Sequence, residues 1–210
     1  MKTPSLAITL MMVAFVPALA QPPGGPFTAT ENVQITQTKS DGTIVTGPVD
    51  RIRFYRDSSG RTRTELRPEM NSEFMQPGPP ENIDVIDSFA GFRYFMDAKT
   101  TTARRYPFPK ASPNAPAFPE PGESLGTRVI EGLVCDGYRN VSIYPASTVG
   151  MDHDVVVQTE KWVSRELGIW AVWKITDPRI GVHVTWFSNI IRAEPDPTLF
   201  VVPADYTITN

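Results

Sequence analysis

The residues best suited to chemistry form a short glycine-rich motif in the middle of the chain. Gly122-Glu123-Ser124-Leu125-Gly126 matches G-x-S-x-G, in which a sharp strand-to-helix turn exposes a nucleophilic serine. The flanking sequence does not fit that context, because a proline-rich stretch precedes the motif and the β-type run TRVIEG follows it. A serine hydrolase is therefore a minor alternative. Its base would be His153 or His183, the only two histidines.

A second candidate is the triplet Asp152-His153-Asp154. Asp152 or Asp154 could orient a histidine in a catalytic triad, and the triplet also contains residue types that bind metals. Neighbouring side chains on an extended strand point to opposite faces, however, so at most two of the three can converge. No second cluster of histidine, cysteine or carboxylate accompanies the triplet. We expect a turn here, and we assign no catalytic residue, no metal and no cofactor.

The single cysteine and the mixed charges exclude an internal disulfide and two classes of partner. Cys135 excludes an internal disulfide, and in the run LVC it is typical of a small buried side chain rather than a reactive thiol. The net charge is −3, and it becomes −4 when Lys2 is removed with the segment described next. Positive and negative residues are interspersed, so the sequence provides no basic field for nucleic acid or an anionic membrane.

The start of the chain resembles a secretory signal peptide. Lys2 supplies the positive end, LAITLMMVAFV the apolar stretch, and Ala18-Leu19-Ala20 the cleavage pattern. We expect cleavage after Ala20 and a periplasmic or secreted mature protein, with no transmembrane segment and no lipid-attachment cysteine. Residues 21–27, QPPGGPF, are rich in proline and glycine and predict a flexible N-terminus.

Residues 28–210 predict one all-β domain, because short alternating runs recur between turn signals such as SDG and DSSG. In RTRTELR the charged residues share one face, which favours a solvated surface over an anion-binding strip. Gly137 in strand context indicates a bulge. A short turn of helix is predicted at Asp196 to Phe200, where a capping residue precedes a proline. The charged face of the RTRTELR run consists of Arg61, Arg63, Glu65 and Arg67.

The proline-rich loop from Tyr106 to Gly122 has six prolines in seventeen residues and cannot form regular structure. Its two phenylalanines, Phe108 and Phe118, argue against free solvation and indicate packing, for example as a lid.

All four tryptophans lie between Asp154 and Arg192, in three apolar runs that predict antiparallel strands. Large apolar groups occupy both parities of these strands, so both faces require cover. The cover would come from the protein's own core, a partner or an apolar ligand. The predicted ligand-binding residues are Trp162, Trp170, Trp173, Trp186, Phe108 and Phe118.

Three segments carry a family resemblance: FYRDSSGRTRTEL, IDVIDSFAGFRYFMDAKTTTARRY and EPDPTLFVVPADY. Together they resemble exported proteins of the outer-membrane lipoprotein carrier type, and the second half is similar to a broad set of uncharacterised bacterial exported proteins. The resemblance implies a single curved antiparallel sheet, a half-barrel whose concave face can hold acyl chains. This chain differs from the carriers by lacking clear amphipathic helices and by its proline-rich loop.

Two functions from different classes follow. The first is a non-enzymatic binding or carrier-like protein for a hydrophobic, acyl-like ligand or an exported partner. The second is a structural or interaction protein with no small ligand, whose apolar face is covered by its own loops or by another chain.

Overall fold

The computed structural model describes residues 24–39, 41–67, 79–110 and 122–210. Of these residues, 60% lie in strands and 4% in helical turns. The prediction of an all-β protein with few or no long helices is confirmed. The content follows from short β-branched and aromatic runs, which fit the pleated surface of a sheet.

Thirteen strands and two short helical turns make up the described chain. The helical turns are α1 (Ala146–Val149) and a 3₁₀ turn (Pro197–Phe200). The strands are β1 (Phe27–Thr38), β2 (Ile44–Thr46), β3 (Asp50–Arg56), β4 (Thr62–Leu66), β5 (Asn82–Asp87), β6 (Phe92–Asp97), β7 (Thr102–Pro107), β8 (Glu123–Ile130), β9 (Leu133–Tyr144), β10 (Val155–Ser164), β11 (Ile169–Asp177), β12 (Gly181–Ile191) and β13 (Thr207–Thr209).

All of these strands belong to one sheet with the order β13-β7-β6-β5-β4-β3-β1-β12-β11-β10-β9-β8, and β2 pairs with β1. Among the described strands only β13 is parallel to its neighbour, β7. The sheet is not closed into a barrel. The predicted open antiparallel sheet is therefore confirmed, with β1 joining its two halves.

Short polar side chains close the turns that the sequence predicts. At the β1–β2 turn, Gly42 has a φ of 82°, and the Thr43 amide donates to the Asp41 carboxylate at 2.9 Å. At the β3–β4 turn, the amide and guanidinium of Arg61 both donate to Asp57, at 2.8 and 2.7 Å. These local bonds set the hairpin registers, as turn chemistry is expected to do.

One hydrophobic core lies between β5–β7 and the C-terminal segment. The carboxylate of Asp196 accepts a hydrogen bond from the Thr198 amide at 2.9 Å and caps the 3₁₀ turn, which confirms the predicted helical turn. The turn places Phe200 in the core, where it packs with Ile83, Val85, Met96 and Ala103.

The charged row of β4 is buried beneath this C-terminal segment. Glu65 is only 1% exposed and accepts hydrogen bonds from Arg63 Nε at 2.8 Å and Arg67 Nη2 at 2.6 Å. Arg63 also donates to the Leu199 carbonyl at 2.7 Å. The interpretation of this row as a solvated face is wrong for Arg63 and Glu65. Sequence alternation identifies a polar face, but it does not reveal that a segment more than 130 residues later covers it.

The second core lies where β1 meets the tips of the β8–β9 and β10–β11 hairpins. Phe27, which the sequence assigned to the flexible N-terminus, is the first residue of β1 and is fully buried. Arg56 holds the segment just before β1 by donating a hydrogen bond to the Gly25 carbonyl at 2.8 Å. It also donates to the Leu167 carbonyl. The buried members of this core are Phe27, Ala29, Leu133, Cys135, Trp162, Leu167, Ile169 and Ala171.

The bulge predicted at Gly137 is present in the pairing of β8 with β9, but its extra residue is on β8, opposite Gly137, rather than on β9. β9 and β10 pair without a shift, with Gly137 opposite Trp162. The irregularity lies in the neighbouring strand β8, between Ser124 and Gly126. The glycine is required instead by the Trp162 ring, which lies against it.

Three predicted segments lie wholly or partly outside the described residues. These are the signal peptide, residues 1–20, the first part of the flexible N-terminus, residues 21–23, and most of the proline-rich loop, residues 111–121. In the part of the chain that the structure describes, no helix is long and apolar enough to cross a membrane.

Candidate ligand-binding site

A concave space of about 350 Å³ lies on one face of the sheet, where β1, β3, β11 and β12 adjoin. Half of its lining residues are aromatic, and one is a carboxylate. We call it the tryptophan pocket. It is lined by Glu31, Phe54, Gly168, Ile169, Trp170, Trp173, Thr185 and Phe187.

Strand register explains why these side chains share a face. Residues directly opposite each other in an antiparallel pair project to the same side of the sheet. Glu31 on β1 is opposite Phe187 on β12, and Thr185 on β12 is opposite Trp173 on β11. Because Thr185 and Phe187 are two residues apart, all four side chains lie on one face.

A β-bulge brings Trp170 to the same face as Trp173, although their spacing along β11 is odd. Trp162 is opposite Val172 and Val163 is opposite Trp170, so Ala171 is the extra residue of β11. The two indole rings are 5.3 Å apart with an interplanar angle of 56°. Without the bulge, strict alternation would place the two rings on opposite faces.

Phenylalanines form the other side of the pocket. The Phe54 and Phe187 ring centroids are 5.2 Å apart in an edge-to-face arrangement, and Phe54 stacks on Phe27 at 5.3 Å. Such pairs add about 0.5–1.5 kcal/mol beyond the area that they bury. Since Phe27 is fully buried, this side of the pocket rests on the core.

Glu31 places a carboxylate in this apolar wall. Burial raises its pKa above the ordinary glutamate value. Within the described ranges no ion pair or hydrogen bond to its carboxylate is present. A partly buried, unpaired carboxylate is costly, because removal from water disfavours its charged form.

The indole groups of Trp170 and Trp173 show two further features. Lys161 on β10 holds its ammonium 4.4 Å from the Trp170 ring centroid and 5.9 Å from that of Trp173, so the rings accept a cation on one side. The Trp173 Nε1 atom is buried and has no acceptor among the described residues. An unsatisfied buried donor costs about 1–3 kcal/mol, so the packing of Trp173 is not optimised for stability alone.

The structure brings together two of the four predicted tryptophans and separates the other two. Trp162 and Trp186 are each paired with Val172, on its two sides, and therefore lie on the face opposite the pocket. There Arg128 covers the Trp162 ring at 3.7 Å from its centroid, and Trp162 Nε1 donates to Glu160 at 2.8 Å.

Phe108, one of the two predicted phenylalanines, is not among the residues that line the pocket. The Phe108 amide donates to the Gly91 carbonyl at 2.9 Å, beside the β5–β6 turn in the other half of the sheet. Phe118 lies outside the described residues.

The G-x-S-x-G match does not form a nucleophile elbow. Ser124 lies within β8, and its hydroxyl accepts a hydrogen bond from the Gly126 amide at 3.3 Å. Ser124 is opposite Tyr138 on β9. His153 lies beyond the far end of this strand, which is Tyr144, six residues after Tyr138. Six strand residues span about 20 Å, so this histidine is too distant to act as the base.

His183 is no better placed for a triad. It lies on β12, four strands away from β8, a separation of about 19 Å across the sheet.

The Asp152-His153-Asp154 triplet forms a turn, as the sequence predicts. His153 Nδ1 bonds to Asp152, which lowers the pKa of that carboxyl, and Asp154 accepts from the Ala146 amide at 2.9 Å. Across the described ranges no group of three His, Cys, Asp or Glu residues could hold a metal ion.

Cys135 is fully buried, and burial raises its pKa to about 11. The thiol is therefore an apolar core group, as the sequence predicts, because only the thiolate is an effective nucleophile.

Sequence reasoning missed Glu31, Phe54 and Phe187. Glu31 has the same parity in β1 as Val33 and Ile35, so it interrupts an otherwise apolar face of that strand. A carboxylate on an otherwise apolar face was therefore a signal that could have found the pocket. Phe54 and Phe187 carried no such signal, because their approach depends on the pairing of β1 with both β3 and β12.

Solved structures resemble the chain at low sequence identity. An uncharacterised conserved protein from Thermus thermophilus aligns with 12% identity over 89% of this chain and 90% of that one, with a TM-score of 0.50. MucB from the Pseudomonas aeruginosa MucA/MucB complex aligns with 13% identity over 87% of this chain and 58% of that one, at 0.40. A putative outer-membrane lipoprotein-sorting domain from Vibrio parahaemolyticus aligns with 10% identity over 84% and 89%, at 0.34.

These likenesses concern the fold. The carrier-type resemblance predicted from the sequence is confirmed as a distant one. The chain spans somewhat more than half the length of MucB. No protein-family model and no curated protein matches the chain.

Proposed function

We propose that the chain is an exported, non-enzymatic binding protein that holds a hydrophobic, acyl-like ligand in the tryptophan pocket. The observation that carries this proposal is the convergence of four aromatic side chains around one open space of about 350 Å³. Ligand sites are commonly concave, mostly apolar and about 300–1,000 Å³ in volume. The pocket is at the small end of that range and suits a single chain.

The energetics support a ligand rather than an inert surface. Trp170 remains 37% exposed, and Phe54 and Phe187 are half-buried. Removing apolar surface from water contributes roughly 25 cal/mol per Å². An apolar chain that covers these rings therefore gains free energy that the protein alone leaves unused.

Titration with an uncharged hydrophobic dye, N-phenyl-1-naphthylamine, tests the proposal. We expect saturable binding to the wild type at one site. Trp173→Ala should weaken binding about tenfold, because it removes a pocket wall of the kind that contributes on the order of 1–3 kcal/mol. Trp186→Ala on the opposite face is the matched control and should change the affinity less than about twofold.

Circular dichroism of both variants verifies that the fold is retained. Absence of saturable binding to the wild type would contradict the proposal, as would equal losses in the two variants.

Export is the second part of the proposal and rests on residues 1–20. The apolar stretch and the Ala18-Leu19-Ala20 pattern support cleavage after Ala20 and a soluble mature protein in the periplasm or outside the cell. Intact-mass measurement of the exported protein should give a chain that begins at Gln21. A membrane-bound species that keeps residues 1–20 would contradict it.

An interaction protein is the second candidate, and a separate apolar patch favours it. Ile143 and Val156 are opposite each other on β9 and β10, at 64% and 50% exposure, and Val141 adjoins them. Exposed apolar patches often mark protein interfaces. Sedimentation of the wild type beside Ile143→Asp tests whether the patch mediates self-association, and a wild type that stays monomeric at high concentration would contradict that form of the candidate.

A further inference from the structure

Glu31 gives the tryptophan pocket a charge as well as a shape. Its two directly paired neighbours are apolar, Ile52 on β3 and Phe187 on β12. The carboxylate therefore stands between two hydrophobic side chains in the pocket wall, without an ion pair from any described residue.

We propose that the pocket selects amphiphiles whose polar end is a positively charged ammonium group, with Glu31 as the counter-charge and the Trp170 and Trp173 rings as its aromatic surface. This inference rests on the proposed function, since it names the ligand class of the same site.

The carboxylate discriminates between ligand head groups. A ligand cation beside Glu31 compensates the desolvated negative charge, whereas a fatty-acid carboxylate places a second negative charge in the same apolar space. Burial raises the pKa of Glu31, and a ligand cation beside it would favour its charged form. An apolar chain with a negative head is thus disfavoured by the group that favours a cation.

The two indole rings supply the second component of cation recognition. Ammonium groups are held over tryptophan faces within about 6 Å of the ring centroid, and quaternary ammonium ligands are bound in aromatic cages of this kind. The Lys161 ammonium already lies 4.4 Å from the Trp170 centroid, so this ring accepts a cation in the structure.

Lys161 does not replace the ligand at Glu31. It is on β10, whose axis is three strand spacings, about 14 Å, from that of β1. Its ammonium lies over the indole rings, and Lys161 is not a lining residue of the pocket. Phe54 and Phe187, on the Glu31 side, remain available for the apolar chain of the ligand.

Calorimetric titration with three ten-carbon probes, each below its micelle-forming concentration, tests the inference. The probes are decyltrimethylammonium, the uncharged decyl maltoside and decanoate. For the wild type we expect the cation to bind about tenfold or more tightly than decanoate, with the uncharged probe between them.

Two variants show whether Glu31 is the cause. Glu31→Gln keeps the shape and should remove most of the preference by weakening the cation and strengthening decanoate. Asp50→Asn is the matched control, because Asp50 is exposed on the same face of β3, outside the pocket lining, and its loss changes the net charge equally.

The outcomes separate this inference from the proposed function. If decanoate binds the wild type as well as the cation does, or if the preference survives in Glu31→Gln, the inference is overturned while the apolar binding site stands. If none of the three probes binds, the proposed function fails together with the inference.

Discussion

The indole ring of Trp162 lies directly against the backbone of Gly137, its cross-strand partner on β9. A methyl group at position 137 would lie 2.7 Å from the Cη2 and Cζ3 atoms of that ring. Trp162 is 7% exposed and is held from its other sides by Arg128 and Glu160. The ring therefore has little room to withdraw.

Gly137→Ala should accordingly lower the free energy of unfolding by about 1–3 kcal/mol, the usual cost of overpacking a closed core. Urea denaturation followed by tryptophan fluorescence measures it. Gly25→Ala is the control, since no atom lies within 4 Å of a methyl group at that position. Equal stability of the two variants would show that Trp162 moves freely.

Removing the buried carboxylate of β4 should be more damaging than removing the half-buried carboxylate of Asp84, which pairs with an exposed arginine. Glu65→Ala leaves Arg63, which is 7% exposed, without its charged partner and should cost about 3–5 kcal/mol. Asp84→Ala, whose partner Arg93 is exposed, should cost about 1 kcal/mol or less. Thermal unfolding of both variants makes the comparison, and a Glu65→Ala midpoint close to that of Asp84→Ala would contradict the role given to Glu65.

Strand positions could be predicted from the sequence because they depend on local patterning. Alternating runs and turns such as Asp41-Gly42 predicted short strands along the chain, since side-chain parity and turn chemistry act over a few residues. The C-terminal cover could not be predicted in this way. The bond between Arg63 and the Leu199 carbonyl, and the parallel pairing of β13 with β7, are long-range contacts that leave no mark on either segment alone.

Glu31→Gln should stabilise the fold at neutral pH and do so much less in acid. Burial raises the pKa of Glu31, so the folded state binds its proton more tightly than the unfolded state does. The resulting stability is present below the unfolded pKa and is lost as the pH rises through the folded pKa. At pH 7 the charged carboxylate therefore costs stability that glutamine avoids. Unfolding midpoints at pH 7 and about pH 4 measure this, and a lower midpoint for the variant at pH 7 would refute it.

Cys135 should be unreactive in the folded protein. Burial raises the pKa of its thiol to about 11, so its contribution to stability is fully present below the unfolded thiol pKa and is lost as the pH rises from there through about 11. At pH 8 a disulfide reagent such as 5,5′-dithiobis(2-nitrobenzoic acid) should react on the order of 100-fold more slowly with native protein than in urea. Comparable rates would mean that the core around Leu133 and Cys135 opens readily.

The pocket was only partly predictable for an identifiable reason. The tryptophan-rich block drew attention to the correct strands, but parity alone assigns Trp170 and Trp173 to opposite faces. The bulge at Ala171 reverses that assignment, and a bulge is set by the pairing of β11 with β10 rather than by residue 171 itself. Trp162 and Trp186 obey the simple alternation and lie on the other face.

The position of β1 between β3 and β12 also governs how fast the chain can fold. Gln34 is paired with Val184, so this contact closes a loop of about 150 residues. Closing so long a loop is entropically costly, and folding rates fall as contacts become less local. The two halves of the sheet can form their hairpins early, but the β1–β12 junction forms only after the last long strand has been synthesised. A chain with this delay spends longer in a partly folded form with open strand edges, which is the form that aggregates.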